Sequence, residues 1–117
     1  MAIPSGSGTE VLKRASIHGL TNSYQVILTG VANHIYTILS VTFCETAGDP
    51  EKIDMRVDIS ASGSNPIQLL DRCDIAARDT FVWNDKIVLT GTDQLEVQIQ
   101  SAGDVDVYVS YIDQDWT

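Results

Sequence analysis

Residues 94–117 read QLEVQIQSAGDVDVYVSYIDQDWT, and their period decides the fold class. Leu95, Val97 and Ile99 alternate with Glu96, Gln98 and Gln100; after SAGD, Val105, Val107, Val109 and Tyr111 repeat the pattern with polar residues and Tyr108 between them. A period of two is that of a strand with one face in a core, because successive side chains leave a strand on opposite sides. The small and turn-forming residues of SAGD then predict an antiparallel hairpin between the two runs. The last strand runs almost to the end of the chain and leaves Trp116 beside it. A tryptophan there needs a cover, either its own domain or a neighbouring subunit.

The same reading extends toward the amino terminus. In KIDMRVDIS, Ile53, Met55, Val57 and Ile59 are expected inward, with Asp54, Arg56 and Asp58 outward. IYTILSVTFCET places Ile35, Thr37, Leu39, Val41 and Phe43 on one face and Tyr36, Ile38, Ser40, Thr42 and Cys44 on the other; both lean apolar or β-branched, as in a central, doubly covered strand. Glu10–His18 reads as an edge strand, and Ser23–Gly30 as a short strand ending at glycine. Turn residues fill Ala47–Lys52 and Ala61–Pro66. The stretch from Ile67 to Asp79 fits a short strand and an irregular link better than a helical turn. TFVWND closes on the turn pair Asn84-Asp85, and KIVLTGTD is a further strand.

About eight strands with regular turn signals and no convincing helix predict an all-β fold. The expected form is an antiparallel β-sandwich, jelly-roll or immunoglobulin-like. The immunoglobulin comparison is weakened because Trp83 follows both Cys44 and Cys73 instead of lying between them. Residues 1–9, MAIPSGSGT, are expected to form an extended N-terminal arm, and residues 10–117 a single domain.

Sixteen acids against seven bases leave a net charge of −9, which repels phosphate backbones and argues against nucleic-acid binding. No apolar run approaches the roughly 20 residues of a membrane helix, so no membrane partner is expected. The polar start MAIPSGSGTEVLKR does not read as a signal peptide. Cys44 reads as a small buried hydrophobe and Cys73 as a free or packed thiol, in preference to one bridge between them, as suits a reducing cytoplasm.

Enzyme signatures such as GxSxG, HExxH or a phosphate loop are absent from the sequence, so no catalytic role and no cofactor are expected. His18 and His34 have no cysteine or carboxylate neighbours at ligand spacing, and no metal site is expected. Asp104 with Asp106, and Asp113 with Asp115, put paired carboxylates on one side of the last strand. They read first as outward charges that keep an edge strand soluble and unpaired, and second as calcium ligands. Tyr108 and Trp116 are the aromatics expected at the surface. With Ile3 and Pro4, small apolar anchors of the arm, they form the expected interface residues.

Three segments, MAIPSGSGTEVLKR, ANHIYTILSVTFCET and RDTFVWNDKIVLTGTDQLEVQIQSAGDVDVYVSYIDQDW, resemble small virion proteins of tailed bacteriophages, the group found in phages of cyanobacteria and marine bacteria. The likeness lies in Asp79–Trp83 (polar-Thr-Phe-x-Trp), in the Ile87–Leu95 strand and in the Val107–Tyr111 ending. The resemblance implies a structural component of the particle: a capsid decoration (cement) subunit or, alternatively, a tail, collar or fibre subunit. The exposed aromatics and acidic loops add a second expectation, a host glycan as ligand of the alternative form. The resemblance also implies other virion proteins as partners, self-association as a trimer or symmetric ring, and a location in the virion after assembly in the host cytoplasm.

Overall fold

The computed structural model describes residues 8–101 and 104–116. The expected arm therefore lies mostly outside the described residues, Ile3 and Pro4 included; Thr9, its last residue, begins the first strand. Nine strands follow: β1 Thr9–Ile17, β2 Gln25–Thr29, β3 His34–Glu45, β4 Glu51–Asp58, β5 Pro66–Ile75, β6 Thr80–Trp83, β7 Ile87–Thr90, β8 Gln94–Ile99 and β9 Val105–Asp115. Among the described residues the helical content is one 3-10 turn, Ile59–Ala61.

One sheet has the order β1-β9-β3-β6 with β7 also on β3, and the other β2-β8-β4-β5. Strand β6 pairs with Val41–Cys44 and β7 with Ile35–Ile38, both antiparallel to β3. They lie end to end along one edge, so Asn84-Asp85 interrupts that edge line and does not reverse the chain. Counted as one line, β6 and β7 complete an eight-stranded jelly roll of two four-stranded sheets. The topology chooses between the two sandwich types left open by the sequence.

The jelly roll also corrects the expected hairpin. Strand β8 pairs with β2 and β4, whereas β9 pairs with β1 and β3 in the opposite sheet. Alternation in each run reports that one face is buried; it does not report which sheet buries it. Among the described residues the one hairpin between consecutive paired strands is β4–β5.

Leu20, Ile38, Val41, Phe43, Ile53, Met55, Leu89, Leu95, Val97, Ile99, Val105 and Val109 form the centre of the core between the sheets. Strand β3 reaches it in two phases. Tyr36 and Ile38 point inward, then Val41 and Phe43, because the register with β9 shifts between Ile38 and Ser40. The uninterrupted alternation expected for this strand fails at that β-bulge, where one extra residue moves every later side chain to the opposite face. Ile59, expected inward, is exposed on the 3-10 turn.

Seven of the sixteen acids are buried: Glu45, Glu51, Asp54, Asp58, Asp93, Glu96 and Asp113. Four of them receive the N–H of a residue with positive φ: Gly48 and Arg78 donate to Glu45 at 2.8 and 3.0 Å, Gly63 to Asp58 at 3.0 Å, Arg72 to Asp54 at 2.8 Å, and Ser60 to Asp93 at 2.9 Å. Left-handed backbone costs on the order of 1 kcal/mol at a non-glycine residue. A hydrogen bond to a buried charge offsets it. The Arg78 N–H is the main cause holding the Glu45 carboxyl below the usual carboxylate range, against burial; Gly48, Ala47 and Asp49 N–H groups add to it. Much of the chain's acidity is thus structural.

Candidate interaction surface

The outer face of the β1-β9-β3 sheet follows from its register. Leu12 lies opposite Ile112, which lies opposite Thr37, which lies opposite Val88; Ser16, Tyr108, Thr42 and Val82 form a parallel row. Between the rows run Arg14, Ser110 and Ser40. Four apolar side chains stand in solvent on this face: Leu12 at 72% exposure, Val88 at 54%, Val82 at 50% and Tyr108 at 44%. Arg14 makes no ion pair among the described residues.

At one end of the face a shallow depression of about 270 Å³ is lined by Ser16, His18, Thr42, Cys44, Asp106 and Tyr108, among others. His18 Nδ1 lies 3.0 Å from Asp106 Oδ1, which also accepts the Gly19 N–H at 2.9 Å. A second depression, about 360 Å³, lies between Leu12, Arg14, Leu39 and Tyr108. Cys44 on this sheet and Cys73 on the other are both free.

The opposite outer face, that of β2-β8-β4-β5, is occupied by polar groups bound to one another. The Arg56 guanidinium lies 3.6 Å from the centre of the Tyr24 ring and donates to Glu96 at 2.7 Å, while Gln68 donates to the Tyr24 hydroxyl at 2.8 Å. Asp54, expected outward, does lie on this face but is buried beneath donors from Arg72 N–H, Gln98 and Gln100.

Beneath the Leu12 end of the first face lies a cluster that the sequence reading missed. Asp113 is 4% exposed and points inward, because it continues the phase of Val109 and Tyr111. It accepts from Lys13 Nζ at 2.8 Å and meets His34 Nδ1 at 2.7 Å, while Asp115 lies 3.4 Å from His34 Nε2. The expectation of an outward charge on an edge strand fails because β9 is central, between β1 and β3. Both histidines also gain aspartate neighbours from β9, across strand pairs that sequence spacing cannot show. Burial works against the Asp113 charge, yet the hydrogen bonds from Lys13 and His34 outweigh it and hold its carboxyl below the ordinary range. The same bond to Asp113 raises Lys13, and burial raises the neighbouring Tyr36 hydroxyl. Among the described residues no three histidine, cysteine or acidic side chains are grouped so as to hold a metal ion.

Of the expected interface residues, Tyr108 is on the exposed face. Trp116 is half-buried against its own chain: its N–H donates to Asn33 O at 3.0 Å, and a Cβ on Gly8 would stand 2.9 Å from its ring. Its indole Nε1 is buried without an acceptor among the described residues.

No family model matches the chain, and no curated protein matches its sequence. Solved structures match its shape. A chain of the Bacillus endospore appendages, a family of disulfide-linked pili, superposes with a TM-score of 0.56 at 12% identity, covering 100% of this chain and 97% of that one. A chain of the acidic stable capsid of Helicobacter pylori bacteriophage KHP30 gives 0.53 at 10% identity, covering 98% and 92%. A chain of the cyanophage Pam1 capsid aligns more loosely, with a TM-score of 0.44 at 13% identity over 98% and 92%. At these identities the likeness establishes the fold alone: a β-sandwich spanning nearly the whole length of comparably sized chains.

Proposed function

We propose that this chain is a non-enzymatic structural subunit of a bacteriophage virion, a capsid decoration protein that docks on the assembled shell through the outer face of β1-β9-β3. The observation that carries this reading is the contrast in that face: Leu12, Tyr108, Val82 and Val88 stand in solvent beside Arg14, which has no ion pair among the described residues, while the other outer face satisfies itself. Exposed apolar side chains on both sides of a polar strip are surface that a protein partner can cover. The shape shared with a phage capsid chain, and the sequence resemblance to small virion proteins, support the choice of partner. Binding to the assembled shell and not to free shell subunits would stabilise the lattice by mass action. The arm of residues 1–9 would add contact area, with Ile3 and Pro4 as anchors and Trp116 as a secondary contact.

The test is reconstitution on undecorated phage shells, reading bound copies and rupture temperature. Wild type should bind and raise the temperature; Val82→Asp/Val88→Asp should abolish both while leaving the fold intact, and deletion of residues 1–9 should weaken binding. Equal binding by the doubly charged variant overturns the docking face.

A second reading, a tail, collar or fibre subunit that binds host glycan, is favoured by the depression beside Tyr108, where a ring, a carboxylate and hydroxyls converge. Saturable binding on saccharide titration, with and without calcium, and its loss in Tyr108→Ala would select it.

A further inference from the structure

A sheet edge presents unpaired N–H and C=O groups, and folded proteins blunt such edges to avoid unwanted pairing. The sandwich has four edges, and three are blunted. Strand β2 is five residues long with a register shift between Val26 and Leu28. Strand β5 meets shifts on both sides of Met55 and carries Arg72 at φ 53°. The β6/β7 edge is broken between Trp83 and Ile87. Among the described residues strand β1 alone is long and regular: nine residues without proline or glycine, in unbroken register with β9 from Thr9 to Ile17. Its one inward charge, Lys13, would ordinarily guard an edge, but its ammonium is turned back onto Asp113 of the same chain.

From this edge we infer that two copies of the chain pair antiparallel through β1, about a two-fold axis at Leu12, joining their β1-β9-β3 sheets into one. The sequence of β1 is complementary to itself in that register. With Leu12 opposite Leu12, Glu10 falls opposite Arg14 twice, Val11 opposite Lys13 twice and Thr9 opposite Ala15. Moving the axis to Lys13 sets Lys13 against itself and Leu12 against Arg14; moving it to Val11 sets Glu10 against Leu12. Glu10, Leu12 and Arg14 share the outer face, so the charge pairs would flank an apolar centre there. Arg14 is free to do this, and Glu10 has committed one oxygen to Gln114, at 2.9 Å.

Charge across the whole chain points to the same strand. Glu10, Lys13 and Arg14 sum to +1, and each of the other strands is neutral or negative on the same count of acids and bases. Two chains of net charge −9 repel at most other approaches. The pairing would also double the apolar face available for docking, but it does not depend on what that face meets.

The test uses purified full-length chain and sedimentation over a concentration series, with circular dichroism to confirm folding. Wild type should give a monomer–dimer equilibrium. Glu10→Arg or Arg14→Glu alone places two like-charge pairs across the axis and should weaken association about tenfold or more. The double exchange Glu10→Arg/Arg14→Glu restores opposite charges and should return to within about threefold of wild type. A wild-type chain that stays monomeric into the hundreds of micromolar, a dimer indifferent to both single reversals, or a double exchange no better than the singles overturns the inference. Failure of shell docking with an intact dimer would count against the proposed function and leave this pairing standing.

Discussion

The two outer faces of this sandwich begin from the same rule, alternate residues of a strand turned away from the core, and end as opposites. On β2-β8-β4-β5, Tyr24, Arg56, Glu96 and Gln68 form one network and Asp54, Gln98 and Gln100 another; Val26 is the large apolar side chain left standing outside them. On β1-β9-β3, leucine, valine and tyrosine side chains stand in water, and the central guanidinium of Arg14 has no carboxylate among the described residues. A face whose groups already bind each other gains little from a partner, since each contact would have to replace one that exists. A face with exposed apolar area and an unpaired charge gains from being covered. Net charge describes neither face: it is the placement of donors against the carboxylates that separates them.

The largest effect that tests this contrast is expected on the self-satisfied face. Asp54→Ala removes the acceptor of the Arg72 N–H and of two glutamine amides at a position that is 1% exposed. Leaving several buried donors unpaired, with Arg72 still in its left-handed conformation, should cost about 3 kcal/mol in urea unfolding. A loss below about 1 kcal/mol would mean that this face is an ordinary solvated surface, and the contrast would fail.

A smaller effect is expected from the cluster under the Leu12 end of the other face. Asp113 has a depressed pKa in the folded state, so its contribution is present above the ordinary unfolded value near 3.9 and is lost as pH falls through the lower folded value. Lys13 has the opposite sign: its pKa is raised, so its contribution is present below about 10.4 and is lost as pH rises through the folded value. Asp113→Asn should therefore destabilise by about 1 kcal/mol near pH 6, with the partly exposed Lys13 limiting the effect. That deficit should vanish in acid below the folded pKa, where wild type is itself protonated. His34 and Tyr36 act on the same carboxylate and Asp115 lies against the other nitrogen of His34, so unfolding midpoints of Lys13→Met and His34→Gln across pH separate their shares. A deficit independent of pH would make Asp113 a packing residue.

The period-two runs made the sandwich legible because half-buried strands must alternate, and Val105 to Tyr111 do so without a break. Pairing was not legible in the same way. Strands β8 and β9 alternate as a hairpin would, yet each is buried by a different neighbour, and nothing local distinguishes the two arrangements. The bulge at Leu39 was hidden because both faces of β3 carry apolar or β-branched residues, which removes the contrast that would reveal a change of phase. Asp113 was visible in principle: counting on by two from Tyr111 puts it inward, where an isolated carboxylate is costly and a cation must be near. The cation, Lys13, comes from the other end of the chain. Tyr108 could be placed on a surface by its phase alone, but the rows it shares with Ser16, Thr42 and Val82 exist only through cross-strand register.

The smallest effect on stability carries the sharpest distinction between the faces. Val82 and Val88 lie on the broken edge line of β6 and β7, half exposed, with outward side chains that the core does not use. Val→Thr keeps the β-branched shape, so the double replacement Val82→Thr/Val88→Thr should leave the unfolding free energy in urea unchanged within about 0.5 kcal/mol. It replaces two methyl groups with hydroxyls that a dry interface must desolvate, so adsorption to phage shells should weaken several-fold even though the free protein is unaltered. If stability falls by more than about 1 kcal/mol, these valines belong to the core's support and the face has been misread. If stability and adsorption both hold, the docking surface narrows to the β1-β9 half, where Leu12 and Tyr108 stand.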